Sequence, residues 1–193
     1  MDVDGARVRF AASVLRQAAA AHEEAAGVCS GPIAEAARLI GRALAAGGHV
    51  LAFGNGGSAA DAQHFVAELV GRFDARRNRR ALPALALAAD PSVVTALAND
   101  LGFDQVFARQ VEAFGRPGDV ALGITTSGRS PNVLAGLSAA RARGLVTMAL
   151  TGRAGVPVAV DVLVAVPDDR TPRVQEVQGT LLHVLCELVE ERL

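Results

Sequence analysis

The chain has 193 residues, of which 51% are hydrophobic, and a formal net charge of −1. This length suits one domain with a single substantial core, and the near-neutral charge gives no reason to expect nucleic acid or an anionic membrane as a partner. All 19 basic residues are arginine, which excludes a Schiff-base lysine and the lysine of a P-loop.

The two cysteines, Cys29 and Cys186, lie far apart in no metal-like spacing, which favours reduced thiols. Residues 1–4 lack the basic and apolar regions of a signal peptide. No apolar run reaches the ~18 residues that a membrane helix needs. We therefore expect a cytoplasmic protein.

Apolar residues recur at helical spacing from Val8 to Leu44, with a break at residues 30–32, Ser-Gly-Pro. This pattern predicts a pair of helices within residues 1–46. Such an apolar pair can contact another subunit or pack on the protein's own sheet, and both possibilities stay open at this point.

From residue 49 onward, short apolar runs alternate with stretches of helical periodicity. This alternation predicts an α/β fold in three layers, α/β/α, whose parallel five-stranded sheet has helices on both faces. We expect a single domain over residues 1–193, with ligands at the carboxyl ends of the strands. The predicted strands are 49–53, 82–87, 120–124, 147–150 and 162–166, and the predicted helices are 58–73, 91–99, 103–114, 130–143 and 172–192.

Residues 54–58, GNGGS, join the first predicted strand to a helix. Exposed amides and the positive end of the dipole make such a helix start an anion site. The same segment with Ala59 also fits the dinucleotide fingerprint G-x-G-x-x-A. However, that fingerprint usually opens the fold and has an acidic residue about twenty positions later. Here helices come first, and Asp74 stands in an arginine-rich loop, so we favour the anion site.

A second loop, residues 125–131, has the sequence TTSGRSP and also joins a strand to a helix. Ser130 is a suitable N-cap and Pro131 suits the first helical position. Capping explains one hydroxyl, but the loop carries four. Clustered hydroxyls at a helix start indicate a cradle for a terminal phosphate, and an ordinary serine-rich turn is the alternative.

Two pairs of polar residues lie on single helical faces. His64 and Glu68 are four residues apart, which suits metal ligands, an acid and a base, or a plain surface pair. Gln175, Gly179 and His183 follow at i, i+4 and i+8 on the last helix. The missing side chain of Gly179 leaves a hollow for an ion or substrate, unless a neighbouring helix packs there.

Residues 76–80 contain four arginines. A solvated loop is the favoured interpretation, and recognition of an acidic partner is the alternative. The absence of interleaved aromatic residues argues against single-stranded nucleic acid. Asn99 and Asp100 look like a helix end followed by a turn, which alone supports no functional claim.

Several segments in order, GNGGSAADAQHFVAEL, ALANDLGFDQVFARQVEAFGRPGD, TTSGRSPNV and RTPRVQE followed by a histidine, closely resemble the phosphoheptose isomerases of the sugar isomerase (SIS) domain family. The resemblance spans nearly the whole chain and implies the flavodoxin-like SIS fold. It implies a cytoplasmic homotetramer with interfacial active sites that converts sedoheptulose 7-phosphate to D-glycero-D-manno-heptose 7-phosphate through an enediol(ate), the first step of heptose biosynthesis. The alternatives are an isomerase of another ketose phosphate and a non-catalytic SIS module that associates with the replication initiator.

The resemblance also implies roles for individual residues. Glu68 would be the base and His183 its acid–base partner. One zinc per subunit would be held by His64, Glu68, Gln175 and His183. The implied substrate contacts are Asn55, Gly56, Gly57, Ser58, Glu68, Arg72, Asn99, Asp100, Thr125, Thr126, Ser127, Ser130 and Gln175.

Overall fold

The protein is described by a computed structural model that covers residues 3–191, so Met1, Asp2 and the end of the last predicted helix lie outside the described residues. In this range the chain forms five strands and six α-helices, with a short 3-10 turn at Phe103–Gln105. The strands are β1 (Val50–Gly54), β2 (Ala84–Ala86), β3 (Val120–Thr125), β4 (Val146–Thr151) and β5 (Val162–Ala165). The helices are α1 (Val3–Ala45), α2 (Gly57–Val70), α3 (Pro91–Leu101), α4 (Val106–Phe114), α5 (Pro131–Ala142) and α6 (Thr171–Glu190).

The five strands form one parallel sheet in the order β2-β1-β3-β4-β5. Alternate residues of β1 enter opposite cores, because side chains of a strand point to alternate faces. Val50 and Ala52 pack with α1, α2 and α6, whereas Leu51 and Phe53 pack with α4 and α5. This three-layer arrangement confirms the predicted fold class, and each of the five predicted strands is present with ends that differ by one or two residues.

The strand order creates a crevice between β1 and β3. The chain leaves β1 into α2 on one face of the sheet, and it leaves β3 into α5 on the other face. The two strands are neighbours, with Gly54 beside Ile124 at their carboxyl ends. A point where the chain departs to opposite faces is where open α/β sheets bind ligands.

The N-terminal region is helical as predicted, but the predicted break at residues 30–32 is wrong. Helix α1 runs without interruption over 43 residues with Pro32 inside it. Its buried face keeps the helical period on both sides of the proline, as in Ala25, Cys29, Ile33 and Ile40. Pro32 removes one backbone hydrogen bond, and the continuous packing of this face outweighs that loss.

The first half of α1 presents apolar residues to solvent. Val8, Phe10 and Leu15 are each about 70% exposed (69%, 72% and 71%) in the single chain. Arg173 joins this half to α6 by donating to the Val14 carbonyl oxygen at 2.9 Å. Within residues 3–191, no helix combines the length and the apolar character needed to span a membrane.

Candidate active site

The first loop ends on a buried hydroxyl. Gly56 has φ +56°, a conformation that favours glycine, and α2 begins at the next residue. Ser58 is buried at the carboxyl end of β1. Its amide and that of Ala59 already bond the carbonyl oxygens of Asn55 and Gly56, at 3.0 and 3.1 Å. A ligand here would therefore rely on the hydroxyl and on amides that precede the helix.

The second loop gathers its hydroxyls at the start of α5. Thr125 Oγ1 lies 3.1 Å from Ser130 Oγ, and Ser127 Oγ accepts the Arg129 amide at 3.2 Å. Gly128 has φ +67°, and a Cβ there would collide with the Gly155 carbonyl oxygen. The loop is thereby fixed in a tight turn that holds the hydroxyls at the crevice.

A reciprocal amide pair joins the two loops, and the sequence analysis missed it. Asn55 Nδ2 donates to Asn132 Oδ1, and Asn132 Nδ2 donates to Asn55 Oδ1, both at 2.8 Å. Asn132 Oδ1 also accepts the Val133 amide at 2.9 Å. Both ends of the Asn55 carboxamide are thus occupied, so this residue links the loops. The only sequence signal was a polar residue, Asn132, in the first turn of α5.

The predicted catalytic residues come together from two helices. On α2, His64 Nε2 lies 3.1 Å from Glu68 Oε1. His183 of α6 faces them, with its ring centroid 5.1 Å from that of His64 at an interplanar angle of 86°. The Phe73 ring also contacts His183, with ring centroids 5.3 Å apart. The fold therefore gathers a carboxylate and two imidazoles from positions more than a hundred residues apart.

Gln175 occupies a different place on α6. Its carboxamide packs directly on Gly57, where a Cβ would overlap it, so it lies at the start of α2. Between Gln175 and His183, a Cβ added to Gly179 would meet no atom within 4 Å. The predicted hollow is therefore open, and no neighbouring helix of the described part of the chain packs into it. Across residues 3–191, no three His, Cys, Asp or Glu side chains are arranged to hold a metal ion.

Three further predicted substrate contacts are exposed side chains. Arg72 is exposed just beyond α2. Asn99 and Asp100 are exposed on α3, where Asn99 Nδ2 donates to Asp100 Oδ1 at 2.8 Å. In the described part of the chain, no hydrogen bond joins these three to the loops or to the histidines.

Asp61 is a further polar group of α2 that sequence analysis did not single out. Its Oδ2 atom is buried and has no hydrogen-bond partner among residues 3–191. Burial raises the pKa of this carboxyl, and the charge of nearby His64 opposes that rise. A buried carboxyl oxygen without a donor is unusual in folded proteins, and it marks this side of α2 as polar well below the surface.

Comparison with known proteins is consistent with this geometry. The family model for the SIS domain matches residues 10–152. The phosphoheptose isomerase of Solidesulfovibrio magneticus is 51% identical over 187 residues, which is 96% of this chain and 91% of that protein. The chain belongs to the phosphoheptose isomerase family of SIS-domain proteins.

Solved structures of the phosphoheptose isomerase family have the same fold. The phosphoheptose isomerase of Neisseria gonorrhoeae superposes with a TM-score of 0.87 at 42% identity, covering 95% of this chain and 98% of that one. The one from Francisella tularensis gives a TM-score of 0.90 at 35% identity, covering 96% and 98%. The likeness therefore extends over almost the full length of both structures, including the long N-terminal helix region.

Proposed function

We propose that this protein is a cytoplasmic isomerase that converts sedoheptulose 7-phosphate to D-glycero-D-manno-heptose 7-phosphate, the first step of heptose biosynthesis. The proposal rests on one observation: helix α2 takes part in both the phosphate crevice and the proton-transfer site. Its start forms one wall of a hydroxyl-lined crevice, and its last two turns present His64 and Glu68 to His183. The family's phosphoheptose isomerases, 51% identical over most of the chain, support this substrate.

The phosphate is bound at the crevice between β1 and β3. Hydroxyl donors and the positive ends of α2 and α5 favour a phosphate dianion there. The paired Asn55 and Asn132 keep the two walls at a fixed separation. The hydroxyls that take part are those of Ser58, Thr125, Thr126, Ser127 and Ser130.

The spacing along α2 favours a long substrate. Ten residues separate Ser58 from Glu68, which is about 15 Å along a helix, and glutamate side chains lean back toward the N-terminus. An extended seven-carbon sugar 7-phosphate spans about 10 Å from phosphorus to C1, since carbon–carbon bonds of about 1.5 Å advance about 1.3 Å each. The Glu68 side chain and the phosphate contacts would have to close the remaining distance of about 5 Å, whereas a triose phosphate of about 5 Å would leave about 10 Å to close.

In the proposed reaction Glu68 removes the C1 proton of the ketose as a general base. The electron pair of that bond forms the C1–C2 double bond of an enediol(ate). Return of a proton to C2 then gives the aldose, while His183 transfers a proton between O2 and O1. Imidazole suits this shuttle because one of its ring nitrogens can donate a proton while the other accepts one.

We also propose that the site binds one zinc ion per subunit. Two imidazoles and a carboxylate, His64, His183 and Glu68, are donors that zinc prefers, and the open space at Gly179 can admit an ion. Their side chains would have to reorient on binding, because in residues 3–191 they are not arranged to hold an ion. Gln175 would become a fourth ligand if its carboxamide, which packs on Gly57 here, rotated toward the histidines. When bound, the ion would stabilise negative charge on the substrate oxygens. Zinc analysis of the wild type and of His64→Ala tests this: about one ion per subunit is expected, and its loss in the variant.

Assembly into a homotetramer is the proposed role of the exposed face of α1. Val8 and Leu15 lie seven residues apart on one exposed face of α1, and Phe10 is exposed on another side, so contact with neighbouring subunits would bury apolar side chains on more than one side of this helix. In an interfacial active site, the exposed residues Arg72, Asn99 and Asp100 would be available to contact a substrate bound by a neighbouring subunit. Mass photometry is expected to show a tetramer in the wild type and smaller species for Leu15→Glu.

The decisive experiment compares wild type with Glu68→Gln and with a control, Glu187→Gln, on the exposed side of α6. Wild type should convert sedoheptulose 7-phosphate and incorporate solvent deuterium at C2. Glu68→Gln should lose both while it keeps its fold and its inhibition by phosphate, and the control should be unaffected. A wild type that binds phosphate but turns over no ketose phosphate would instead support the non-catalytic SIS module.

A further inference from the structure

One arginine of the 76–80 run is buried, contrary to the favoured interpretation of this run as a solvated loop. The side chain of Arg79 is 9% exposed, and its Nε lies 2.6 Å from Oε1 of Glu190, which is 2% exposed. Arg76 is 90% exposed by comparison, and its hydrogen bond lowers the pKa of Asp74 to about 2. Arg79 therefore has a role that its neighbours do not share.

Arg79 binds the end of α2. Its Nη2 donates to the Glu68 carbonyl oxygen at 2.6 Å, and its Nη1 donates to those of Leu69 and Gly71 at 2.9 and 3.2 Å. The last carbonyl groups of a helix have no partner within the helix. A planar guanidinium can serve several of them at once. One of these carbonyl groups belongs to Glu68, the proposed base.

Glu190 connects the same ion pair to the other proposed catalytic residue. Its carboxylate oxygens accept the amides of Phe73 and Asp74 at 3.0 and 3.4 Å, and the Phe73 ring packs against the His183 ring. Burial alone would raise the pKa of Glu190. The hydrogen bonds from Phe73 and Arg79 outweigh that effect and hold the pKa below its usual range.

We propose that Arg79 and Glu190 are positioning residues, which fix Glu68 and His183 relative to each other. The inference rests on the proposed function, because it assigns the pair to the same proton transfer. Arg79 holds the backbone of Glu68, and Glu190 holds the residue that packs on His183. The Arg79–Glu190 pair thus connects the C-terminal ends of α2 and α6, close to Glu68 and His183. The phosphate loops lie at the N-terminal end of α2.

This arrangement predicts a specific kinetic effect. Loosening the end of α2 misplaces the base and lowers kcat, but it leaves the phosphate crevice intact and so preserves KM. General damage to the fold would lower the folded fraction or alter both constants. The variants must avoid a lone buried charge, because removal of one partner of a buried pair is strongly destabilising.

The test uses Arg79→Met combined with Glu190→Met, Arg79→Lys alone, and Arg77→Met as a matched control from the same run. The lysine of Arg79→Lys keeps an ion pair with Glu190. Its single ammonium cannot, however, bond three carbonyl groups in the geometry of a guanidinium. For the double variant and for Arg79→Lys, we expect kcat per folded protein to fall 10- to 100-fold. KM and phosphate inhibition should stay within threefold, and Arg77→Met should match the wild type.

Wild-type kcat in either folded Arg79 variant, or an increase in KM as large as the loss in kcat, would overturn the inference. If the double variant does not fold, the kcat and KM of Arg79→Lys alone provide the test. Hydrogen exchange of residues 66–74 provides a readout that does not depend on turnover, and it should become at least tenfold faster in the variants. A wild type without isomerase activity would refute the proposed function, and unchanged exchange would then separately refute the positioning role.

Discussion

The amide pair between the two loops gives the sharpest prediction for substrate binding. Asn132 is 1% exposed and takes part in three hydrogen bonds, two with Asn55 and one with the Val133 amide. Asn132→Ala removes all three. At about 1 kcal/mol net for each, with the half-buried Asn55 carboxamide left unpaired, we expect the free energy of unfolding to fall by about 3 kcal/mol.

Asn132→Ala should also weaken the binding of the substrate phosphate. Without the pair, the walls that carry Ser58 and Ser130 are no longer held at one separation. We expect KM for sedoheptulose 7-phosphate to rise about tenfold, which corresponds to about 1.4 kcal/mol. Glu68 and His183 lie elsewhere on α2 and α6, so kcat should change by less than threefold.

Urea unfolding and steady-state kinetics measure the two effects, with Asn78→Ala as a control because Asn78 is exposed in the arginine-rich loop. A double-mutant cycle with Asn55→Ala should give a coupling energy of about 1–2 kcal/mol, since contacting residues do not act independently. An unchanged KM in a folded Asn132→Ala, or a loss confined to kcat, would refute the assignment of this pair to the phosphate site.

Further predictions concern the hollow, the thiols and acid stability. Gly179→Ala should stabilise the fold by up to about 1 kcal/mol. Gly179→Leu should also fold, but it should lose at least 90% of the turnover because the larger side chain fills the hollow. Full turnover in Gly179→Leu would show that the reaction does not use the hollow. Burial raises the pKa of Cys186 to about 12 and also raises that of Cys29, so an aromatic disulfide reagent at pH 8 should label neither thiol until urea is added. The pKa of Glu190 is lower in the folded protein than the usual value of about 4.3. Its contribution to stability is therefore present above that pH and is lost as the pH falls through the folded value, so urea midpoints from pH 6 to pH 3 should fall more steeply for wild type than for Glu190→Gln.

Local patterns in the sequence were sufficient for the sheet and its loops. Continuous apolar runs mark buried parallel strands wherever they occur, and glycine and hydroxyl residues after β1 and β3 mark the crevice. Helix α1 was mispredicted at Pro32, because the packing that keeps the helix intact involves β-strands and α6, which are distant in sequence. Tertiary packing of this kind outweighs a local helix-breaking signal.

The pairs that fix the site could not be predicted for the same physical reason. Asn55 and Asn132 are 77 positions apart, and Arg79 and Glu190 are 111 apart. Each is an ordinary polar residue in its own segment, and Arg79 stands among arginines that are solvated. A run of like charges normally indicates an exposed loop. Only the folded chain shows that one of the four has a buried carboxylate as its partner.

Helix α2 is held at both ends by polar contacts to distant segments, and the two ends have different consequences for the proposed reaction. At its start, Asn55 is tied to α5, which fixes the crevice for the phosphate. At its end, Arg79 is tied to α6, which fixes the residues that move protons. Because each end of α2 has its own polar contacts, more than about 7–10 Å from those of the other end, loss of the contacts at one end should leave those at the other in place. Asn132 variants should therefore change KM, Arg79 variants should change kcat, and the two effects should be additive in free energy when the substitutions are combined.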